Sequence, residues 1–82
     1  MTEVVLYTRP ECHLCDDARA VIERVRAEIP FVLSERDIDA DEALLVAYLE
    51  RIPVVTIDGE EAFEHFVEEP ELRAWLARVQ AR

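Results

Sequence analysis

Apolar residues fall along this chain in blocks whose period changes. Val4-Val5-Leu6-Tyr7 is an unbroken apolar run closed by Thr8-Arg9-Pro10, the mark of a short buried strand over about residues 3–8. From Leu14 the period lengthens. Leu14, Ala18, Val21, Ile22, Val25 and Ile29 recur every three or four residues and predict a helix over about residues 13–28, stopped by Pro30. Residues 31–38 read as a second strand, with charge intruding at Glu35 and Arg36. Asp39 or Asp41 can cap a second helix over about residues 41–50, with Leu44, Leu45, Tyr48 and Leu49 on its inner side. Arg51-Ile52-Pro53 interrupts it. Val54-Val55-Thr56-Ile57 is rich in β-branched residues and predicts a third strand. Asp58-Gly59 is a hairpin turn that needs positive φ, and it uses the single glycine of the chain. A fourth strand, about residues 61–66, then pairs antiparallel to the third. Glu68-Glu69-Pro70 opens a last helix whose apolar stripe is Leu72, Trp75, Leu76 and Val79.

The element order is therefore β-α-β-α-β-β-α. Two β-α-β units imply right-handed crossovers with parallel strands, and the hairpin adds an antiparallel edge. That order matches the α/β thioredoxin fold, a four-stranded mixed sheet with helices on both faces. Eighty-two residues make one domain, residues 1–82, and with 51% apolar residues spread along the chain a packed core is expected. No apolar run approaches the length of a membrane span. The N-terminus lacks the basic and apolar regions of a secretory signal, so the cytoplasm is the expected location. The net charge of -10, nine basic residues against nineteen acids, argues against nucleic acid, which needs a basic face. A monomer is expected.

The chemistry is carried by Cys12-His13-Leu14-Cys15, which holds both cysteines of the chain. The pair sits where the first strand hands over to the first helix, so Cys12 falls at the helix N-cap or first turn. Unpaired amide N–H groups and the positive end of the helix dipole stabilise a thiolate there. Cys15, about one turn on, is expected to be more buried and to lie beneath Cys12. A bridge across two residues constrains an unfolded chain little, so the spacing reads as a redox dithiol rather than a staple. Arg9 and a cationic His13 would lower the Cys12 pKa, while Glu11, Asp16 and Asp17 oppose them. The balance predicts a pKa moderately below the free thiol value of about 8.5, which suits a reductant. The competing reading is half of a zinc site. Structural zinc takes four ligands, and only His13 and His65 remain to complete one.

Ile52-Pro53, just before the third strand, can be a cis bond, or simply a proline that ends one element and starts the next. In a thioredoxin fold this loop lies beside the attacking cysteine, where the Ile52 backbone can pair with an extended substrate. His65 is expected on a strand surface and Trp75 in the core, while Tyr7 either packs in the core or lines the site near the end of the first strand.

Thr8-Arg9-Pro10-Glu11-Cys12-His13-Leu14-Cys15-Asp16, followed by Arg51-Ile52-Pro53-Val54-Val55 and Asp58-Gly59, resembles the small bacterial glutaredoxin-like proteins over essentially the whole chain. The resemblance implies Cys12 as nucleophile and Cys15 as resolving thiol. Arg9 matches the basic residue that glutaredoxins use toward the glutathione carboxylate, and Ile52-Pro53 matches their cis-proline loop. Where glutaredoxins carry a Gly-Gly and a nearby Asp for the other end of glutathione, this chain has Phe66-Val67-Glu68-Glu69-Pro70, and Glu68 and Glu69 would repel a carboxylate.

The reading that follows is a thiol–disulfide oxidoreductase that reduces protein or small-molecule disulfides, with no bound cofactor and no metal. An external thiol or reductase recharges it: glutathione, or thioredoxin reductase as for the redoxins that feed ribonucleotide reductase. The alternative is a thioredoxin-fold binding module without turnover, or a C-x-x-C protein that holds a metal or an iron–sulfur cluster.

Overall fold

Strand β1 (Glu3–Thr8) lies inside the sheet of the computed structural model, which describes residues 1–81. It is followed by α1 (His13–Arg26), β2 (Val32–Asp37), a 3₁₀ turn (Ile38–Ala40), α2 (Glu42–Tyr48), β3 (Val54–Ile57), β4 (Glu60–Glu64) and α3 (Glu69–Gln80). The sheet order is β2-β1-β3-β4. This is the thioredoxin-like α/β architecture that the element order predicts.

Strand direction departs from that prediction. β1 and β2 are parallel, from Glu3 opposite Val32 to Thr8 opposite Asp37, but β3 runs antiparallel to β1, from Val4 opposite Ile57 to Tyr7 opposite Val54. Only the first β-α-β unit is a parallel crossover. The reason is length. α1 has 14 residues, about 21 Å, and returns the chain along the full sheet. α2 has seven, about 10 Å, against roughly 20 Å for a six-residue strand, so β3 starts at the end where β2 stopped.

The main core lies between one sheet face and the two longer helices. Val4, Leu6, Val55 and Ile57 pack there against Ala18, Ile22 and Val25 of α1 and Leu72 and Leu76 of α3. Each buried Val, Leu or Ile side chain contributes about 1.5–3 kcal/mol. α2 covers the other face lightly, with the Tyr48 ring 4.8 Å from that of Tyr7. No residue of α2 is fully buried, and Leu49 is exposed rather than inward, because so short a helix does not span the sheet. Tyr7 is accordingly half-buried on the α2 side. Trp75 sits half-buried at the core rim under the Arg78 guanidinium. Leu14 is also exposed. The first turn of α1 leaves the inward position to Cys15.

Both outer strands are polar. β2 exposes Ser34, Glu35, Arg36 and Asp37, and β4 exposes Glu60, Glu61 and Glu64. Arg19 of α1 ties down β2 through a two-pronged contact with Glu35 (2.7 and 2.9 Å) and also holds Asp16 at 2.8 Å. Those two carboxylates raise the Arg19 pKa further above its ordinary value. The β3–β4 turn has positive φ at Asp58 (49°) and Gly59 (88°), as the Asp-Gly pair requires. Asp58 also accepts from the Glu3 N–H at 2.9 Å, which pins the hairpin to the start of β1.

Among the described residues no helix is long and apolar enough to cross a membrane.

Candidate functional site

Four chain segments meet at the end of the sheet where β1 stops. The register puts Thr8 opposite Asp37 and Tyr7 opposite Val54, and Val54 opposite Glu64. The segments just beyond these positions are Arg9–Cys12, Ile38–Ala40, Arg51–Pro53 and His65–Phe66. They are therefore gathered at one edge by strand pairing alone.

Cys12 is the N-cap of α1, with extended backbone (φ -110°, ψ 106°), and its sulfur accepts the Cys15 N–H at 3.1 Å. A sulfur so placed takes the position of an N-cap oxygen and faces the free amides of the first turn. Cys12 is partly exposed and Cys15 is 1% exposed. The two are joined as a disulfide with Cα atoms 5.2 Å apart. The sulfur a partner can reach and the sulfur beneath it are thus distinct.

Arg9, Pro10, Glu11, Cys12, Asp39 and Ile52 line an open cleft of about 670 Å³. It brings together four of the residues singled out from the sequence: Arg9, Glu11, Cys12 and Ile52. Glu11 is exposed with φ of 61°. His13 is exposed as the first residue of α1 and does not line the cleft. Pro53 is buried behind Ile52, and the Ile52-Pro53 bond is cis.

Two residues of the site escaped the sequence reading. Asp39 is not a helix cap: Asp41 caps α2, accepting from Ala43 and Leu44 N–H at 2.9 and 3.3 Å. Asp39 instead faces Arg9, with a guanidinium nitrogen 3.2 Å from its carboxylate. The alternation of Asp37, the last residue of β2, and Asp39 is the available signal, but its use depends on register. His65 is the other. It lies just past β4 with φ of 68°, its N–H donates to the Pro53 carbonyl at 2.8 Å, and its ring lies 2.9 Å from the Glu50 carbonyl. It is a brace for the proline loop, not a strand-surface residue. The next residue, Phe66, is 64% exposed.

Glu69, expected to repel an anionic substrate, is engaged elsewhere. Arg24, three turns along α1 from Cys12, reaches it at 2.9 Å and Arg73 at 3.1 Å. Both hold its carboxyl below the usual carboxylate range. Among the described residues no group of three or more His, Cys, Asp or Glu side chains is arranged to hold a metal ion.

A thioredoxin-like fold with a bonded C-x-x-C pair at a helix start defines a class, proteins of thiol–disulfide redox chemistry. Within it, the family described as glutaredoxin-like domain (DUF836) matches residues 3–77, and the chain belongs to that family. A structural-genomics target protein from X. campestris, solved by X-ray diffraction, is 37% identical over 92% of this chain and 96% of its own, with a TM-score of 0.78. Protein Ne2328 from Nitrosomonas europaea, solved by NMR, is 28% identical over 90% of this chain and 89% of its own, with a TM-score of 0.79. A mutant thioredoxin from Halobacterium salinarum is 21% identical over 94% of this chain and 73% of its own; its TM-score of 0.71 speaks for the fold alone. A search of curated proteins found no match.

Proposed function

We propose that this protein is a thiol–disulfide oxidoreductase that reduces disulfides of proteins or small molecules. The observation that carries the reading is the asymmetry of the pair: Cys12 is reachable at a helix N-cap, and Cys15 is buried directly beneath it.

In the reduced protein the Cys12 thiolate attacks one sulfur of a substrate disulfide. A Cys12–substrate disulfide forms and the other substrate sulfur leaves as a thiolate, which takes a proton from water. The Cys15 thiol then gives its proton to solvent and attacks the Cys12 sulfur. The intramolecular disulfide closes, and the second substrate thiolate is released. Two electrons pass from the dithiol to the substrate. An external thiol or a dithiol reductase reverses the change in the protein, and no bound cofactor takes part. The first attack needs access and a stabilised anion, which the N-cap supplies. The second needs proximity, which the shared helical turn supplies. The Ile52 N–H is spent on the Tyr48 carbonyl at 3.1 Å, so the Ile52 carbonyl, on the residue that lines the cleft with Cys12, is the backbone group that would accept from an extended substrate segment.

The test is insulin reduction with dithiothreitol as the external reductant. Cys12→Ser is expected to lower the catalysed rate at least about a hundredfold, to background. Equal rates for Cys12→Ser and the unaltered protein would end the proposal.

A further inference from the structure

The charge balance of the cleft around Cys12 is set by one contact. Among the described residues Arg9 is its only cationic lining residue, and two acidic residues, Asp39 and Glu11, share the lining. The contact with Asp39 is close: one guanidinium nitrogen lies 3.2 Å from Oδ1, and Nε donates to Oδ2 at 3.4 Å. The fold places it. Parallel pairing sets Thr8 opposite Asp37, so the residues one and two positions beyond, Arg9 and Asp39, emerge side by side. The Asp37 carboxylate then accepts the Asp39 N–H at 2.8 Å, which caps the 3₁₀ turn and fixes where Asp39 stands.

We infer that Asp39 is a specificity-determining residue that selects substrates by charge, turning the cleft toward disulfides in cationic polypeptide segments and away from anionic ones. The inference rests on the thiol–disulfide exchange proposed above and names its substrate class. A carboxylate entering the cleft competes with Asp39 for Arg9 and meets Glu11 as a like charge. A Lys or Arg beside the substrate disulfide meets two carboxylates. Both sets of charges lie within a Debye length, so the preference is expressed in physiological salt and grows as salt is removed. The net charge of -10 adds a long-range attraction of the same sign.

The experiment measures kcat/KM for three disulfide-bridged peptides of one length, with the cysteines flanked by Lys, Gln or Glu, at low and at physiological ionic strength. Glutathione disulfide serves as a small anionic probe. The expected order is Lys above Gln above Glu, with about threefold or more per step at low salt, the effect of a unit charge a few ångströms away in a high-dielectric setting. Glutathione disulfide falls with the Glu peptide. Asp39→Asn narrows the Lys-to-Glu ratio about threefold or more, chiefly through KM, by freeing Arg9. Glu23→Gln makes the same charge change on a distant part of α1 and leaves the ratio as it was. Because each ratio is measured within one protein, a loss of folded material does not alter it.

Equal rates for the three peptides overturn the inference, as does a ratio untouched by Asp39→Asn or moved equally by Glu23→Gln. If the Gln peptide is reduced without a charge preference, only the inference about Asp39 fails. If the Gln peptide is not reduced at all, the exchange reading fails and takes this inference with it.

Discussion

The backbone N–H of His65 donates to the carbonyl of Pro53 at 2.8 Å, so the residue after β4 holds the loop that forms one wall of the cleft. His65 does this with φ of 68°, a conformation few side chains adopt without cost. His65→Val places a β-branched residue there and is expected to destabilise the protein by about 1–2 kcal/mol. His65→Asn tolerates the backbone and loses only the ring contact with the Glu50 carbonyl, so its cost is smaller, about 0.5–1.5 kcal/mol. Urea unfolding of both variants checks the order. Valine no worse than asparagine would remove the backbone as the cause.

Cys15→Ser removes the buried thiol and leaves the reachable one. The first exchange then proceeds and the second does not. A covalent adduct between Cys12 and a peptide disulfide is expected to accumulate, visible by mass spectrometry as the protein plus one peptide half. Cys12→Ser should form none. Adducts on Cys15 in that second variant would contradict the assigned order of attack.

Glu69 joins α1 to α3. Its carboxylate takes Arg24 and Arg73, and Arg73 also holds Glu28. Because Glu69 has a lowered pKa in the folded protein, the unfolded chain binds the extra proton at acid pH. Its contribution is fully present above the ordinary glutamate value of about 4.3 and is lost as pH falls through the lower folded value. Glu64, paired with Arg51, adds the same sign. Stability should therefore fall below about pH 4, and Glu69→Gln should make that fall shallower. Denaturant midpoints between about pH 6 and about pH 3 test this, and parallel curves for the two proteins would refute it.

Ile22 is fully buried at the centre of α1 against the sheet. Ile22→Val removes one methylene and is expected to cost about 0.5–1.5 kcal/mol. In a domain of this size that lowers Tm by roughly 4–8 °C per kcal/mol. A larger truncation at Val46, 81% exposed on α2, through Val46→Ala should still stay within about 0.5 kcal/mol. Calorimetry on the two variants separates a working core position from a surface one.

What could be read from the sequence, and what could not, divides along physical lines. The N-cap position of Cys12, the burial of Cys15 and the positive φ of the Asp58-Gly59 turn follow from local spacing and residue chemistry, and each stands in the structure. The family itself was legible in the run from Thr8 to Asp16. The direction of β3 was not, because it depends on whether a connecting segment is long enough to return across the sheet, and α2 was read three residues too long. Nor were the partners of Arg9 and His65. Those contacts join residues 30 and 12 positions apart, and only strand register brings them together.

The polar faces of β2 and β4 also bear on how copies of this chain meet. Two molecules approaching rim to rim along β4 would set Glu60, Glu61 and Glu64 of each against those of the other. Facing rows of carboxylates oppose the backbone pairing that would otherwise extend a sheet from one molecule to the next. Growth of the sheet from one copy to the next through β4 is thus disfavoured, and the four-strand count is guarded by the charge at its own margin.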